Sequence, residues 1–358
     1  IRVSLKPQDT DDVKSVAKPM VATGASHTIA LKYDGTVWTW GNNTNGELGR
    51  GDKNSVYSPV QVKSADGNSY LTDIIFVSAG SNHTLALRKD GTVWAWGLNT
   101  YGQLGNNTTT GSSLPVQVKI ANGDLNLTNV VSISAGYQHN IALRKDGTVW
   151  AWGYNAHGEL GIGTAGGDHD HPEQVLRKEN QSDPDSNNVP LTNIVKIAIG
   201  AYHNLALTAD GQVYAWGWGI YGSLGDGDTS DHSSTVAMRV VGTGYSNNNT
   251  NTYLGDGNGS DFIVDIGAGG YSNYASYSMA LDIKGTLYTW GRNYKSVIDP
   301  KNTSDSYVTG VPVDITKNNS MLNGAVRINS DAIGHIGSVL RSDGQIVSWG
   351  YNGYGSAG

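Results

Sequence analysis

The chain has 358 residues, a formal net charge of −7 and no cysteine. That charge disfavours the basic face needed for non-specific nucleic-acid binding, and the missing thiols exclude disulfides and thiolate metal sites. Glycine (48), tyrosine (19) and tryptophan (10) are plentiful. No apolar run approaches the ~18 residues of a membrane-spanning helix, so short strands joined by turns are expected, without membrane insertion.

In chain order, Ile1–Gly24 opens with a strand-like run, Arg2-Val3-Ser4-Leu5. It lacks a start methionine and an apolar leader core, so the sequence reads as part of a processed or longer chain. A phrase then begins at Ala30 and is cleanest as ALRKDGTVWAWGLNTYGQLG, Ala86 to Gly105. It recurs from Ala142 to Gly161, with weaker copies at Ala30–Gly49, Ala206–Gly225, Ala280 to the Lys295 region, and Val339–Ala357. The copies centre on Trp40, Trp96, Trp152, Trp216, Trp290 and Trp349. A fixed long period marks a modular array, so one domain of six like units over residues 1–358 is expected.

Within a unit, His83, Leu85 and Leu87 alternate with Thr84, Ala86 and Arg88, and Trp94 and Trp96 alternate with Val93 and Ala95. This is strand periodicity. Asp90-Gly91 between the two runs predicts a type I′ hairpin, and the pair returns at Asp34, Asp146, Asp210 and Asp343, with Lys284-Gly285 the departure. One face is bulky and the other small, as in sheets packed on both sides. Upstream runs such as Asp73–Gly80, and short Pro-Val strands at Pro59–Val62, Pro115–Val118, Glu173–Val175 and Val311–Val313, supply two more strands. Four antiparallel strands per unit, stacked radially, predict an all-β propeller blade.

The phrase A-L-x-x-D-G-x-V-W-x-W-G-x-N-x-x-G-x-L-G, with A-G-x-x-H upstream (Gly80/His83, Gly136/His139, Gly200/His203), resembles the regulator-of-chromosome-condensation repeat. That resemblance implies a β-propeller, usually of seven blades. The repeat count here gives six, and Arg2–Leu5 could complete the last blade and close the ring.

Insertions fall in the third and fourth units. Leu176–Pro190 and Gly242–Asp261 pad the hairpin rim, and Gly163–His171 and Asp226–His232 the opposite rim. Adjacent padding marks an interaction surface, against the plain alternative of polar loops without a partner. Asp168, His169, Asp170 and His171 form either an exposed polar tip or a source of two imidazoles for zinc, without thiolate or helical spacing. Asp226, Asp228 and Asp231, and separately Asp256, Asn258, Ser260 and Asp261, have oxygen ligands suited to calcium but no complete twelve-residue loop. No cofactor is expected, with calcium as the alternative. The repeated His27, His83, His139 and His203 read as structural hydrogen-bonders, since a ring spreads them apart. Tryptophans inside strands are core, which leaves Tyr101, Tyr154, Trp218, Tyr221, Tyr245 and Tyr253 as contact aromatics.

No phosphate-binding Gly loop with Lys, G-x-S-x-G elbow or H-E-x-x-H stands in the sequence, so no enzyme is expected. The resemblance implies a protein-binding propeller. Bacterial relatives include a secreted inhibitor that caps β-lactamase, in which the repeat units are much shorter. The cysteine-free composition matches a bacterial secreted or cell-surface protein. Alternatives are a carbohydrate-binding adhesin, from the loop tyrosines and asparagines, and guanine-nucleotide exchange on a small GTPase, the activity that names the family.

Overall fold

A computed structural model describes residues 17–120, 125–180, 185–243, 252–256, 262–271, 275–302, 304–305, 307–317, 319–330 and 336–350. The first blade pairs β1 (Met20–Thr23), β2 (His27–Leu31), β3 (Val37–Gly41) and β4 (Val56–Gln61) in chain order, all antiparallel. The second repeats this with β5 (Ile74–Ala79), β6 (His83–Arg88), β7 (Val93–Gly97) and β8 (Ser112–Gln117). The third has β9 (Val130–Ala135), β10 (His139–Arg144), β11 (Val149–Gly153) and β12 (His169–Gln174). A short hairpin follows, β13 (Leu176–Lys178) with β14 (Asn188–Pro190).

The fourth blade is β15 (Ile194–Ile199), β16 (His203–Thr208), β17 (Val213–Trp218) and β18 (Ser233–Arg239). The preceding hairpin extends it to six strands, because β13 runs parallel to the outer strand β18 at Arg177 and Ala237. The fifth blade is β19 (Ile263–Tyr271), β20 (Ala275–Asp282), β21 (Leu287–Arg292) and β22 (Val308–Asp314). The sixth shows β23 (Ala325–Ser330), β24 (Ile336–Arg341) and β25 (Ile346–Gly350). The chain is therefore an all-β, six-bladed β-propeller. Arg2–Leu5, expected to complete the sixth blade, lies outside the described residues. Two compact units divide the blades: residues 17–156 with 165–175, and residues 157–164 with 176–350.

The Asp-Gly hairpins are not type I′. Only the glycine takes positive φ, as at Gly35 (78°), Gly91 (81°) and Gly147 (78°). Gly91 N donates to Arg88 O at 2.9 Å and Arg88 N to Thr92 O at 2.9 Å, which is a type I turn followed by a left-handed bulge residue. The aspartate decides between them. Asp90 Oδ1 accepts from Thr92 N (3.0 Å) and Thr92 Oγ1 (2.6 Å), an Asx turn that keeps Asp90 out of the left-handed region. Thr92 Oγ1 in turn accepts from Trp94 Nε1 at 3.3 Å. At Lys284-Gly285 the missing aspartate is replaced from upstream, where Asp282 Oδ1 accepts from Lys284 N (2.9 Å) and Thr286 N (2.8 Å).

Blades pack bulky face to small face. Ile29, Leu31 and Val37 of the first blade bury against Val77, Ala79, Ala86 and Trp96 of the second. Leu85, Leu87, Val93 and Ala95 of the second bury against Ile133, Ala135, Ala142 and Trp152 of the third. A polar latch recurs at these joints. Glu47 O accepts from Trp96 Nε1 (2.7 Å) and Thr84 Oγ1 (3.2 Å), and Thr84 Oγ1 also pairs with His27 Nε2 (3.1 Å). Gln103 O accepts likewise from Trp152 Nε1 (3.0 Å) and Asn140 Nδ2 (2.9 Å), and His83 Nε2 reaches Asn140 Oδ1 at 2.7 Å. In the second unit Ser223 O accepts from Trp290 Nε1 (3.0 Å) and Ser278 Oγ (2.9 Å), and His203 Nε2 meets Ser278 Oγ at 2.9 Å. His27, His83 and His203 are thus structural, each bonded to a side chain of the next blade rather than to a nearby turn. Tyr277 does the same work in the fifth blade, donating to Ile336 O at 2.8 Å.

One charged joint is added. Asp265, 4% exposed, pairs with Lys196 and accepts from Ile266 N (2.9 Å) and Ile328 N (2.7 Å), so one carboxylate ties the fourth, fifth and sixth blades.

Candidate functional site

The G-x-N-x-x-G-x-L-G loops share one frame and differ in what they display. The asparagine is the frame. Asn99 Oδ1 accepts from Leu104 N (2.8 Å) while Nδ2 donates to Thr108 O (2.7 Å) and Thr110 O (3.0 Å), and Asn43 and Asn293 bond in the same way. The residue after the first glycine runs Asn42, Leu98, Tyr154, Trp218, Arg292 from blade to blade, and the fourth residue runs Asn45, Tyr101, His157, Tyr221, Lys295. The display therefore changes from amide to aromatic and basic along the chain.

Blade four departs most. Gly219 stands where the asparagine would be, and a Cβ there would lie 2.6 Å from the His232 ring, which takes up the amide's space. Gly219 N donates to His232 O at 2.8 Å. His232 Nε2 meets Asp226 Oδ2 at 2.8 Å, and that hydrogen bond raises the imidazole's pKa to about 9. Asp228 Oδ1 accepts from Ser230 N (2.8 Å) and Asp231 Oδ1 from Trp218 Nε1. The three aspartates offered for calcium thus face three different donors.

Trp218, 8% exposed, stacks on His157 with ring centroids 4.2 Å apart and planes 6° from parallel, and Tyr202 meets it edge-on at 5.6 Å. Burial holds the His157 pKa below the ordinary imidazole range. Arg292 lies over Tyr221 at 4.5 Å and Tyr294 at 5.8 Å, and Lys295 sits 5.1 Å from Tyr294 and 2.9 Å from Asp305 Oδ2. Tyr221 and Lys295 both hold positive φ (60° and 55°), a conformation that non-glycine residues adopt at some cost. Trp218 and Tyr221 stand out in the sequence as aromatics of one loop. His157, Tyr202, Arg292 and Tyr294 do not, since only the stacking of loops brings them together.

The other residues singled out lie elsewhere. Tyr101 and Tyr154 pack edge-to-face at 5.2 Å in the first unit. Tyr253 is at the opposite end of blade four from Trp218, beside Arg239, which pairs with Asp256 and lies 4.6 Å over the Tyr253 ring. Tyr245, Asn258, Ser260 and Asp261 fall outside the described residues. Asp168 is exposed, but His169, Asp170 and His171 are not a loop tip: they begin the strand β12. Gly161 to His169 is one residue longer than Gly105 to Ser112, so the expected padding at this blade end is almost nil. The real padding lies between outer and inner strands, at Leu176–Pro190 and Gly242–Asp261, and part of the former is the ordered hairpin β13–β14.

The UV-B receptor UVR8 of Arabidopsis thaliana is 30% identical over 317 residues, 80% of this chain and 68% of its own length. Protein pim1 of Schizosaccharomyces pombe is 34% identical over 264 residues, 66% of this chain and 47% of its own. The human ubiquitin ligase HERC2 is 35% identical over 227 residues, 63% of this chain and 4% of its own length. Among solved structures, human WBSCR16 superposes with a TM-score of 0.69 at 22% identity, covering 94% of this chain and 77% of that one. Yeast RCC1 (Prp20), solved with Kap60, gives 0.64 at 24% identity, covering 94% and 70%. The model of the RCC1-like domain family matches residues 2–358, and the chain belongs to that family.

Proposed function

We propose that the chain is a non-catalytic protein-binding module that docks its partner through the adjoining loops around Trp218, Tyr221, Arg292 and Tyr294. The observation that carries this is the internal comparison of one loop across blades. The first blade shows Asn42 and Asn45 where the fourth shows Trp218 and Tyr221, although both loops offer a carbonyl, of Glu47 and of Ser223, to the next blade's indole. Aromatic rings held by neighbours, with an arginine between two tyrosines, supply large contact area at low entropic cost and are the usual content of interface centres. The family supports the reading: solved relatives include yeast RCC1 bound to Kap60, and Prp20p with its binding to Gsp1p and histones. The cysteine-free composition supports a secreted or surface setting, with a bacterial source as the finer reading.

A photo-crosslinking residue at position 221, compared with one at 253 on the opposite blade end, tests this in the source cells. A discrete protein adduct from 221 that is lost on Trp218→Ala and Arg292→Ala is expected. Adducts from 253 alone, or a glycan array bound in place of protein, would sink it.

A further inference from the structure

On the outer strand of the third blade, His169, His171 and Glu173 present one nitrogen of each ring and a carboxylate oxygen within 4.8 Å of one another. All three converge on Glu173 Oε1: His169 Nδ1 contacts it directly, and His171 Nε2 lies 3.7 Å away. Tetrahedral ligands at Zn–N and Zn–O distances of about 2.0–2.1 Å stand about 3.3 Å apart, so small side-chain rotations would centre an ion here. Asp170 Oδ1 holds His171 Nδ1 at 2.8 Å, which fixes that ring's Nε2 toward the other two groups. A carboxylate behind a histidine in this manner is the usual support for a metal-binding imidazole.

The strand is held on two sides. It pairs with β11 at Gly153–His169 and Ala151–Glu173, and Asp170 O accepts from Asn107 N at 2.9 Å. The three side chains are 23–37% exposed, within reach of an ion from solvent.

The neighbouring blades act as internal controls. Each outer strand carries the same irregularity, pairing Gly97 with Ser112 and Ala95 with Val116 in the second blade, and Gly291 with Thr309 and Thr289 with Val313 in the fifth. In the second, fourth and fifth blades the residues in register with His169 are Ser112, Ser234 and Thr309, whose hydroxyls donate to the carbonyl two residues on at 2.6–2.7 Å, and the first blade has Val56 there, followed by Ser58 and Val60. In register with His171 stand Leu114, Val236 and Val311, and with Glu173 stand Val116, Met238 and Val313. The fold is served by hydroxyl and apolar residues there. The third blade alone of these replaces all three with ligand donors, which packing does not explain.

We propose that His169, His171 and Glu173 bind a divalent first-row transition ion, zinc by availability, with a fourth position open to water or to a side chain of a bound protein. Two imidazoles and one carboxylate form a donor set suited to zinc and poorly suited to calcium. Metal ligation needs both ligating imidazole nitrogens free of their protons, so binding releases protons and weakens as pH falls.

The test is titration of the untagged chain with ZnCl2 by calorimetry, and with Co2+ by visible absorption, which reports nitrogen ligation and coordination number. One zinc per chain and a Co2+ spectrum of four or five ligands are expected. The control is the triple variant His169→Ser, His171→Leu, Glu173→Val, which installs the residues the second blade already folds with. It should keep the wild-type melting temperature without metal and lose more than about 100-fold in zinc affinity, beyond the loss typical of a supporting residue alone. Wild-type chain with no zinc or cobalt binding above that of the triple variant overturns the proposal, as does a variant that retains full affinity.

Discussion

His27 and His83 make the N-terminal unit acid-sensitive. Both are buried at blade joints, and burial lowers each pKa from 6.5 to about 4. His83 shows why: Nε2 donates to Asn140 Oδ1, and Nδ1 has no hydrogen-bond partner, so a second proton would have no acceptor. The folded state therefore binds fewer protons than the unfolded state between pH 6.5 and 4. Stability is full above pH 6.5 and is lost as pH falls toward 4. Between pH 7 and pH 5 each histidine should remove about 2 kcal/mol, or about 4 kcal/mol together. Urea unfolding followed by tryptophan fluorescence at the two pH values reads the loss. Other groups titrate in the same range, so the decisive quantity is the difference between wild type and the His27→Gln, His83→Gln double variant. The variant should lose about 4 kcal/mol less over this interval, whatever its stability at pH 7. Equal losses in the two proteins would refute the reasoning, as would an NMR midpoint for the His83 ring near 6.5.

Two further outcomes follow from polar contacts in the second unit. Asp265→Ala strands Lys196 and leaves Ile328 N without its acceptor, so it should cost about 3–5 kcal/mol by urea unfolding, against a smaller loss for Asp265→Asn. The His232–Asp226 contact has the opposite pH sense: its stabilisation is complete below pH 6.5 and lost as pH rises through about 9. NMR titration of the His232 ring checks this, and a midpoint at an ordinary imidazole value would refute it.

Much of the fold was legible because the repeat states it six times. Strand alternation, a Trp-Gly pair in every unit and an Asp-Gly turn in five of the six located the blades. The turn type was misread because residue identity alone does not reveal that Asp90 spends its carboxylate on Thr92, which selects the type I geometry. The donor set proposed for zinc was half seen. His169 and His171 stood out as a pair, but Glu173 was absorbed into a Pro-Val strand motif, and only the register of β12 sets it beside them. The aromatic site was seen in part, because Trp218 and Tyr221 share one loop while Arg292 and His157 reach it from neighbouring loops.

The acceptors in the blade latches are main-chain carbonyls, those of Glu47, Gln103, Glu159, Ser223 and Val297, which receive the next tryptophan's indole. The side chain on that residue makes its own local bond, Glu47, Gln103 and Glu159 accepting from the main-chain N two residues upstream and Ser223 Oγ donating to Trp218 O, so what varies is that bond and what is common is the carbonyl. It cannot move in space without losing the indole. The loop is thus open to substitution and closed to insertion, and its frame keeps one length from Gly41–Gly49 to Gly217–Gly225. New length has entered where no latch is anchored, between an outer strand and the next inner one. Variation in this chain is sorted accordingly: new chemistry appears in the fixed-length loops, and new chain appears at the opposite blade end.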